Sequence, residues 1–340
     1  MRALVTGATG FVGYHAALRL LERGHEVRVL ARSLEKAERL FRAAREVEIA
    51  VGDMTDACAV ERALAGRDAV VHAAATVSFD RRSARALLEA NVAGTRNVIG
   101  GASERGVEAI VYVSSLTAIY EPRRGPPTPD SPVLARGNAY ARSKAAAERV
   151  VRELADAGAP IATLYPYGVI GPDDPGWSES IGAFRGFLAT TLSTRGGVSF
   201  VDVRDLASFA VRLLETKRTG RFVLGGHFFT WDELVGVLEP MLGREIPRFA
   251  MPAPLLRALG SLTDWVRRVR PLRSLISREG MEYATRTGPL PNSEALAELG
   301  VALRPAEETF ADTLRWMLAA GKLRPHHAPA LAGSELRAAG

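Results

Sequence analysis

From its N-terminus to residue 165, the chain alternates between short apolar runs and longer amphipathic segments. The apolar runs lie at 3–6, 26–31, 47–51, 69–74, 109–113 and 161–165. The segments with helical periodicity lie at 11–23, 34–45, 56–65, 83–104 and 139–157. Continuously apolar runs are typical of parallel strands that helices cover on both faces. Six β-α repeats of this kind predict an α/β fold with a doubly wound parallel sheet.

Beyond residue 165 this alternation ends, and the predicted elements are of mixed type. They are a helix at 178–192, a strand at 198–203, a helix at 206–214, a strand at 222–224 and a mostly helical stretch at 231–317. The two strands and the helix between them continue the β-α pattern, whereas the other segments do not. We therefore predict a sheet domain (1–165 and about 198–225), a smaller, mainly helical C-terminal cap (about 166–197 and 226–325) and a disordered tail (326–340).

Composition narrows the class of protein. Of the 340 residues, 47% are hydrophobic and 24% charged, which excludes wholesale disorder. The longest stretches without a charged residue, 3–18 and 157–172, are too short to cross a bilayer and contain glycine, and the N-terminus has no apolar leader. We expect no membrane span, no secretory signal and a cytoplasmic location. A single cysteine, Cys58, excludes an intramolecular disulfide, and the histidines lack ligand spacing, so we predict no metal site.

The charge balance is unusual, because the net charge of +6 comes from 40 arginines and only four lysines. A basic balance can indicate nucleic-acid binding, but these arginines are interspersed with acidic residues along the predicted helices. The densest cluster, at 267–273, lacks the interleaved aromatic residues of a single-strand platform and the spacing of a zinc finger. We interpret the excess of arginine as a composition bias and expect no nucleic-acid partner.

Three glycines link the first predicted strand to the first predicted helix. Gly7 permits a tight turn, Gly10 lets the backbone approach a ligand, and Gly13 lets the helix pack closely on the sheet. A helix N-terminus offers free N–H groups and a partial positive charge, which suit a pyrophosphate. The spacing G-x-x-G-x-x-G at this place in a β-α unit therefore predicts a dinucleotide-binding turn.

The end of the second predicted strand indicates which dinucleotide binds. It ends in Arg32-Ser33, and no carboxylate follows before Glu35. A carboxylate there would bind both hydroxyls of the adenosine ribose, whereas a guanidinium suits a 2′-phosphate. We therefore favour NADP(H). NAD(H) is the alternative, because Arg32 could be an ordinary solvated residue in an arginine-rich chain.

Tyr140 and Lys144 are four residues apart at the start of the helix after the fifth strand. Their side chains therefore share one face of that helix. An ammonium group near a phenol stabilises the phenolate and lowers the pKa of the phenol, which allows proton exchange near neutral pH. The pair predicts acid–base chemistry, and a surface pair without function is the alternative.

With these motifs the chain resembles the extended short-chain dehydrogenases/reductases over about residues 1–320. Segments 6–13 and 140–144 match the family's T-G-x-x-G-x-x-G and Y-x-x-x-K motifs. Weaker matches, which include its G-D, N-x-x-G-T-x-N and R-P-x-x-V-Y-G-P motifs, lie at 51–53, 71–75, 91–97 and 165–172. In the last segment Tyr165 and Ile170 replace the family's Arg and Tyr. The resemblance implies a doubly wound Rossmann sheet that binds an NAD(P) cofactor and a substrate-binding cap.

The resemblance also implies the site residues. The predicted cofactor-binding residues are Gly7, Thr9, Gly10, Phe11, Val12, Gly13, Arg32, Asp53, Met54, Ala73, Ala74, Ala75, Asn91, Val113, Tyr140, Lys144, Pro166, Gly168 and Val169. The predicted catalytic residues are Ser115, Tyr140 and Lys144. Ser115 best matches the family's hydroxyl after strand five, and Ser114 and Thr117 are the alternatives. Tyr140 would donate a proton to a carbonyl oxygen held by Ser115, while Lys144 would tune Tyr140 and bind the nicotinamide ribose.

Segment 196–205 is most similar to the dihydroflavonol-reductase-like and 3β-hydroxysteroid-dehydrogenase-like branch of the family. We predict a ketone/aldehyde reductase or alcohol dehydrogenase for a hydrophobic small molecule, with a nucleotide-sugar epimerase or a non-catalytic NADP(H)-binding module as alternatives. The cap aromatics, which would form either a substrate surface or the cap core, are Trp177, Phe184, Phe187, Phe228, Phe229 and Trp231. The resemblance further implies a homodimer through the helices at 83–104 and 139–157.

Overall fold

Seven parallel strands form the central sheet of the protein, seen in a computed structural model that describes residues 1–75, 84–134, 137–269 and 276–332. In chain order the strands are β1 (Arg2–Thr6), β2 (Glu26–Ala31), β3 (Glu48–Val51), β4 (Ala69–His72), β5 (Ala109–Val113), β6 (Ile161–Pro166), β7 (Val169–Ile170), β8 (Thr191–Ser193), β9 (Gly197–Asp202), β10 (Gly220–Leu224), β11 (His227–Thr230) and β12 (Arg248–Ala250).

Helices flank this sheet and build most of the C-terminal part. They are α1 (Phe11–Glu22), α2 (Leu34–Leu40), α3 (Ala57–Leu64), α4 (Ala84–Thr95), α5 (Gly101–Glu104), α6 (Ala139–Asp156), α7 (Glu179–Ala189), α8 (Val203–Glu215), α9 (Trp231–Leu242), α10 (Ala253–Val269), α11 (Arg278–Arg286), α12 (Ala295–Glu298) and α13 (Ala306–Ala319). Short 3-10 turns lie at Leu116–Ala118, Pro122–Arg124 and Pro325–His327.

The strand order of the central sheet is β10-β6-β5-β4-β1-β2-β3, so the prediction of a doubly wound parallel sheet is confirmed. Side chains from β1 alternate between its two faces. Ala3 and Val5 pack with α1 and α8 on one face, while Leu4 packs with α3 and α6 on the other. The strand order reverses between β1 and β4, and ligands of such folds bind at that point, beyond the carboxyl ends of the strands.

Several element boundaries differ from the predicted ones. The helix predicted at 34–45 ends at Leu40, because the next residue, Phe41, turns into the core. The helix predicted at 83–104 consists of α4, a π-helical turn at Arg96–Gly100 and α5, and its first residue lies outside the described residues. The helix predicted at 206–214 begins at Val203, because the Asp202 carboxylate caps it by accepting from the Arg204 N–H.

The strand predicted at 198–203 does not join the central sheet, although its neighbours α8 and β10 belong to that unit. It is β9, which pairs with β11 and β7 in a separate three-stranded sheet. The reason lies in its side chains, since Phe200 packs against Phe184 and Phe310 in the apolar core of the C-terminal part. The helix predicted at 178–192 ends early, because the strand β8 takes up its last residues. β8 pairs with β12 in a second small sheet.

A buried charge network connects β9 and α8 with α13. The Asp202 carboxylate accepts hydrogen bonds from Arg204 Nη2 and from the Thr309 hydroxyl, each at 2.8 Å. Arg204 in turn pairs with Asp312 on α13 at 2.8 Å. These bonds satisfy a nearly fully buried carboxylate, which would otherwise be costly to bury. They fix α13 against the end of β9 and the start of α8.

The prediction of a disordered tail over 326–340 is wrong for its first part. Residues up to 332 are ordered, since Ala328 is fully buried and the Ala332 N–H donates to its carbonyl at 3.0 Å. Arg244 Nε also donates to the carbonyl oxygen of His327 at 2.8 Å. Residues 333–340 lie outside the described residues. None of the described helices has the length and apolar character that a membrane crossing requires.

Candidate active site

The predicted site residues collect at one edge of the central sheet. Nearly all follow the carboxyl ends of β1 to β6, and these ends meet at one edge because the strands are parallel. Asn91 comes from α4, and Tyr140 and Lys144 come from α6. The sequence motifs, which are spread along the chain from Gly7 to Val169, therefore belong to one region of the fold.

The glycine turn after β1 is too crowded for larger residues. Gly7 has φ +75°, and a Cβ there would lie 2.6 Å from the Ala74 backbone nitrogen. A Cβ on Gly13 would lie 2.4 Å from the carbonyl oxygen of Gly7. Gly10 is the N-cap of α1, and no described side chain caps this helix. The first turn of α1 also lacks acidic residues, so its N–H groups and positive helix end suit an anion.

His72 supports this turn from β4, a role that the sequence reasoning missed. Its Nδ1 lies 2.7 Å from the hydroxyl oxygen of Thr6, and its Nε2 lies 3.3 Å from that of Thr95. The Thr6 hydroxyl also accepts from the Ala74 N–H at 3.4 Å. Burial, with a smaller contribution from the charge of Lys144, lowers the pKa of His72 to about 3. His72 is therefore neutral at physiological pH.

Arg32 and Asp53 lie at the ends of β2 and β3. The Arg32 side chain is 76% exposed, and its Nε is 4.0 Å from an Asp53 carboxylate oxygen. Asp53 accepts hydrogen bonds from the N–H and the hydroxyl of Thr55 at 2.8 and 2.7 Å, and these bonds lower the pKa of its carboxyl. Arg32 thus extends into solvent beside a carboxylate that is held in place by another residue.

Two predicted contacts pack beneath this edge. Met54 is buried against Gly94 of α4, where a Cβ would lie 2.5 Å from the Met54 side chain. Asn91, also on α4, is buried and donates from Nδ2 to the Ser143 hydroxyl at 3.1 Å. Ala73, Ala74 and Ala75 are half-buried after β4. Met54 and the three alanines therefore line the edge with small or apolar groups.

The three hydroxyl candidates after β5 have different partners. Ser114 is buried and donates to Glu148 Oε2 at 2.8 Å, so its hydroxyl is directed at α6. The Ser115 hydroxyl lies 2.9 Å from that of Thr117 and interacts with the Tyr140 phenol. The contact with Tyr140 distinguishes Ser115 from Ser114.

Tyr140 is in the first turn of α6, whose N-terminus is capped by Asn138. Burial raises the pKa of the Tyr140 phenol, and the Ser115 hydroxyl partly counteracts this rise. The sequence had indicated a lowered pKa from the neighbouring lysine. The net effect is a rise because the desolvation of the phenolate outweighs the hydrogen bond of Ser115, and Lys144 is not among the groups that shift this pKa.

Lys144 is almost fully buried and donates from Nζ to the carbonyl oxygen of Val113 at 2.9 Å. It also lies over the Tyr112 ring, 5.5 Å from the ring centre. Burial lowers the pKa of its ammonium group to about 8, although the charge of Glu148 acts in the opposite direction. Lys144 is therefore still mostly protonated at neutral pH.

The segment after β6 turns sharply beside β9. Gly168 has φ +36°, and a Cβ there would lie 2.2 Å from the Ser199 carbonyl oxygen. The backbone at position 168 passes so close to β9 that only glycine fits there. The following Val169–Ile170 strand pairs with β9 in register with Val201 and Asp202.

Two of the six cap aromatics are core residues. Phe184 is fully buried and stacks on Phe310 at 5.6 Å. Trp231 is 3% exposed and donates from Nε1 to the Ala284 carbonyl oxygen at 2.8 Å. Neither side chain offers a surface to a substrate. Trp177, Phe187, Phe228 and Phe229 are only partly buried.

This geometry agrees with a comparison against protein-family models. Residues 3–225 match the model of the NAD dependent epimerase/dehydratase family. The chain belongs to this family. It is an NAD(P)-dependent enzyme of the extended short-chain dehydrogenase/reductase superfamily, as the sequence motifs had indicated.

Similar proteins include reductases and epimerases. A putative dihydroflavonol 4-reductase from Synechocystis sp. is 28% identical over 92% of this chain and 93% of its own length. A ceramide reductase from Caulobacter vibrioides is 28% identical over 94% of this chain and 95% of its own length. The crystal structure of a UDP-glucose 4-epimerase from Bifidobacterium longum, in complex with NAD+ and UDP, has 21% identity and a TM-score of 0.70 over 96% of this chain and 99% of that chain. This last likeness bears on the fold alone.

Proposed function

We propose that this protein is an NADP(H)-dependent oxidoreductase that interconverts a carbonyl and an alcohol group on a hydrophobic small molecule. The observation that carries the proposal is the meeting of Ser115, Tyr140 and Lys144 at the carboxyl end of β5. A proton donor, a hydroxyl that can bind a carbonyl oxygen and a buried ammonium are the groups that this reaction requires.

The cofactor would occupy the edge of the sheet where the strand order reverses. The turn at Gly7, Gly10 and Gly13, which leaves no room for a Cβ at Gly7 and Gly13, fits a pyrophosphate against the N-terminus of α1. Arg32 would bind a 2′-phosphate, because its guanidinium is 76% exposed. Lys144 would bind the nicotinamide ribose. When bound, a reduced nicotinamide supplies the hydride.

The residues of the chain supply the proton and the orientation. Ser115 donates a hydrogen bond to the carbonyl oxygen, and Tyr140 transfers its phenolic proton to that oxygen as negative charge develops. Tyr140 is protonated at the working pH, as a proton donor must be. The buried Lys144 ammonium stabilises the phenolate that remains.

The proposed substrate class rests on the relatives and on the cap. Two relatives bear the names putative dihydroflavonol 4-reductase and ceramide reductase, and neither name denotes a nucleotide sugar. A cavity of about 760 Å³ between β8, α10 and α11 has a mixed lining, in which apolar residues such as Met251 and Pro252 alternate with polar and charged ones. Three arginines line it, of which Arg257 donates to the Thr285 hydroxyl at 3.0 Å and Arg286 pairs with Glu282 at 2.7 Å. This positive charge is the feature of the cap that favours the alternative, a nucleotide-sugar epimerase.

The experiment that tests this function measures NADPH oxidation with a panel of apolar ketones and aldehydes, with a nucleotide-sugar panel in parallel. We expect turnover of an apolar carbonyl with one NADPH consumed per alcohol formed. Epimerisation of a nucleotide sugar without added cofactor would instead assign the protein to the epimerases. Binding of NADPH without turnover of any compound would favour a non-catalytic module.

We also propose a homodimer, formed through α4 and α6, and a cytoplasmic location. The two helices pack side by side on one face of the sheet, so together they provide a broad surface. Light scattering after size-exclusion chromatography tests the dimer. We expect twice the mass of the 36.5 kDa chain, and a mass equal to one chain would overturn it.

A further inference from the structure

Glu148 is a fully buried carboxylate one helical turn beyond Lys144 on α6. Three groups from three elements donate to it. They are the Ser114 hydroxyl after β5 at 2.8 Å, the Tyr165 hydroxyl of β6 at 2.5 Å and the Arg152 Nε of α6 at 3.1 Å. A carboxylate buried to this degree is costly unless its charge is needed or fully compensated.

The bond to Ser114 and the bond made by Lys144 lie next to each other. Lys144 Nζ donates to the Val113 carbonyl oxygen at 2.9 Å, and the next residue, Ser114, donates to Glu148. Two neighbouring side chains of α6 therefore hold two consecutive residues at the end of β5. Ser115 follows directly, so this double tether sets the position of its hydroxyl relative to the helix that carries Tyr140.

The charge of Glu148 also acts on Lys144. Burial lowers the pKa of the Lys144 ammonium to about 8, and Glu148 is the group that raises it. The other titratable groups around the pair are His72 of β4, Tyr112 of β5, Tyr165 of β6, and Tyr140 and Arg152 of α6. Burial keeps His72 and the tyrosines neutral near pH 7, because it lowers the pKa of the histidine and raises those of the phenols.

We infer that Glu148 is a positioning residue for the reaction, which places a carboxylate one helical turn from Lys144 and, through Ser114, holds the strand end that carries Ser115. The inference rests on the proposed function, since it assigns a task in that reaction. Glu148 itself touches neither cofactor nor substrate in this role. It acts through its neighbours.

The first test compares Glu148→Gln with Glu153→Gln, an exposed carboxylate on the same helix. The measurement is kcat/KM for carbonyl reduction from pH 6 to 9.5. In Glu148→Gln the alkaline fall in kcat/KM should move to lower pH by roughly one unit, because Lys144 loses its compensating charge. The loss should be about tenfold at pH 9 and less than twofold at pH 6. An alkaline limb unchanged from wild type in a folded Glu148→Gln would overturn the electrostatic part.

The second test uses Ser114→Ala and the rescue variant Ser114→Thr, which keep the charge of Glu148. We expect Ser114→Ala to lower kcat about threefold to tenfold without moving the alkaline limb of the pH profile. Ser114→Thr, which keeps a hydroxyl, should restore most of the lost kcat. Wild-type kcat in Ser114→Ala would overturn the tether. The two Ser114 variants test the tether even if Glu148→Gln does not fold.

A third readout separates failure of this inference from failure of the proposed function. The affinity for NADPH, followed by its fluorescence over the same pH range, needs no turnover. The affinity should weaken as the pH rises and Lys144 loses its charge, because Lys144 would bind the ribose. We expect this weakening to begin at a lower pH in Glu148→Gln than in wild type. If wild type binds NADPH but reduces no carbonyl, the proposed function is refuted. The pH dependence of NADPH affinity in wild type and Glu148→Gln would still test the role of Glu148. Identical pH dependence of binding in both proteins would refute the role of Glu148.

Discussion

The Lys144 ammonium nitrogen lies 2.9 Å from the carbonyl oxygen of Val113, the last residue of β5. This bond holds a buried cation at the strand end that carries the proposed catalytic serine. Because burial lowers the pKa of Lys144 to about 8, its charge is lost first when the pH rises, before the phenol of Tyr140 titrates.

We therefore expect kcat/KM for carbonyl reduction to be constant near pH 7 and to fall above about pH 8. Lys144→Met should lose at least about a hundredfold in kcat/KM near pH 7 and show no fall near pH 8. Lys217→Met, which changes a 58% exposed lysine, is the control. A Lys144→Met enzyme with the wild-type profile would contradict this assignment.

The phenol of Tyr140 gives a second prediction. Tyr140→Phe removes the proposed proton donor and keeps the ring, so we expect NADPH to bind with unchanged affinity and turnover to fall by about a thousandfold. Tyr14→Phe, on α1, is the matched change of another half-buried tyrosine. Fluorescence titration and the carbonyl assay measure the two effects. More than a tenth of wild-type turnover in Tyr140→Phe would exclude the proposed role.

The sheet and the cofactor motifs could be predicted because their signals are local. β4 and β5 are buried at every residue, and apart from His72 this burial appears directly as apolar sequence. The glycine turn and the Tyr140–Lys144 pair are each contained in one short segment. By contrast, β8 pairs with β12, which follows only after β9 to β11, α8 and α9, and no local pattern in such short strands indicates a partner so far along the chain.

Glu148 and His72 show why part of the site could not be predicted. A glutamate within a helix is usually solvated, and its burial here depends on Ser114 and Tyr165, which belong to other elements. His72 lies in an apolar strand, and its partner Thr6 belongs to a different strand, far away in the sequence. The one sequence signal for Glu148 was its spacing of four from Lys144, which places both on one helical face.

Arg32 provides a prediction about cofactor choice. Arg32→Asp should weaken NADPH binding by about tenfold to a hundredfold, because a charge-assisted bond to the 2′-phosphate is replaced by repulsion. The affinity for NADH should stay equal or improve. Arg42→Asp, an exposed arginine just beyond α2, is the control for the change in net charge. If Arg32→Asp binds NADPH as tightly as wild type does, the preference for NADP(H) has another origin.

The neutral His72 makes the stability of the fold depend on pH. Burial lowers its pKa to about 3 in the folded protein, whereas the ordinary value is 6.5. Between these values the unfolded chain binds a proton that the folded chain does not, so stability falls as the pH drops from 6.5 towards 3. The contribution of His72 to this loss should be about 2 kcal/mol between pH 7 and pH 5.

Urea unfolding of wild type and His72→Gln at pH 7 and pH 5 measures this contribution. We expect His72→Gln to be less stable than wild type at pH 7, because it loses the imidazole that packs between the Thr6 and Thr95 hydroxyls and contacts both. Its stability should nevertheless fall by about 2 kcal/mol less than that of wild type on going to pH 5. His326→Gln, which changes an exposed histidine, should keep the wild-type dependence. Equal losses in wild type and His72→Gln would mean that His72 is not held neutral by the fold.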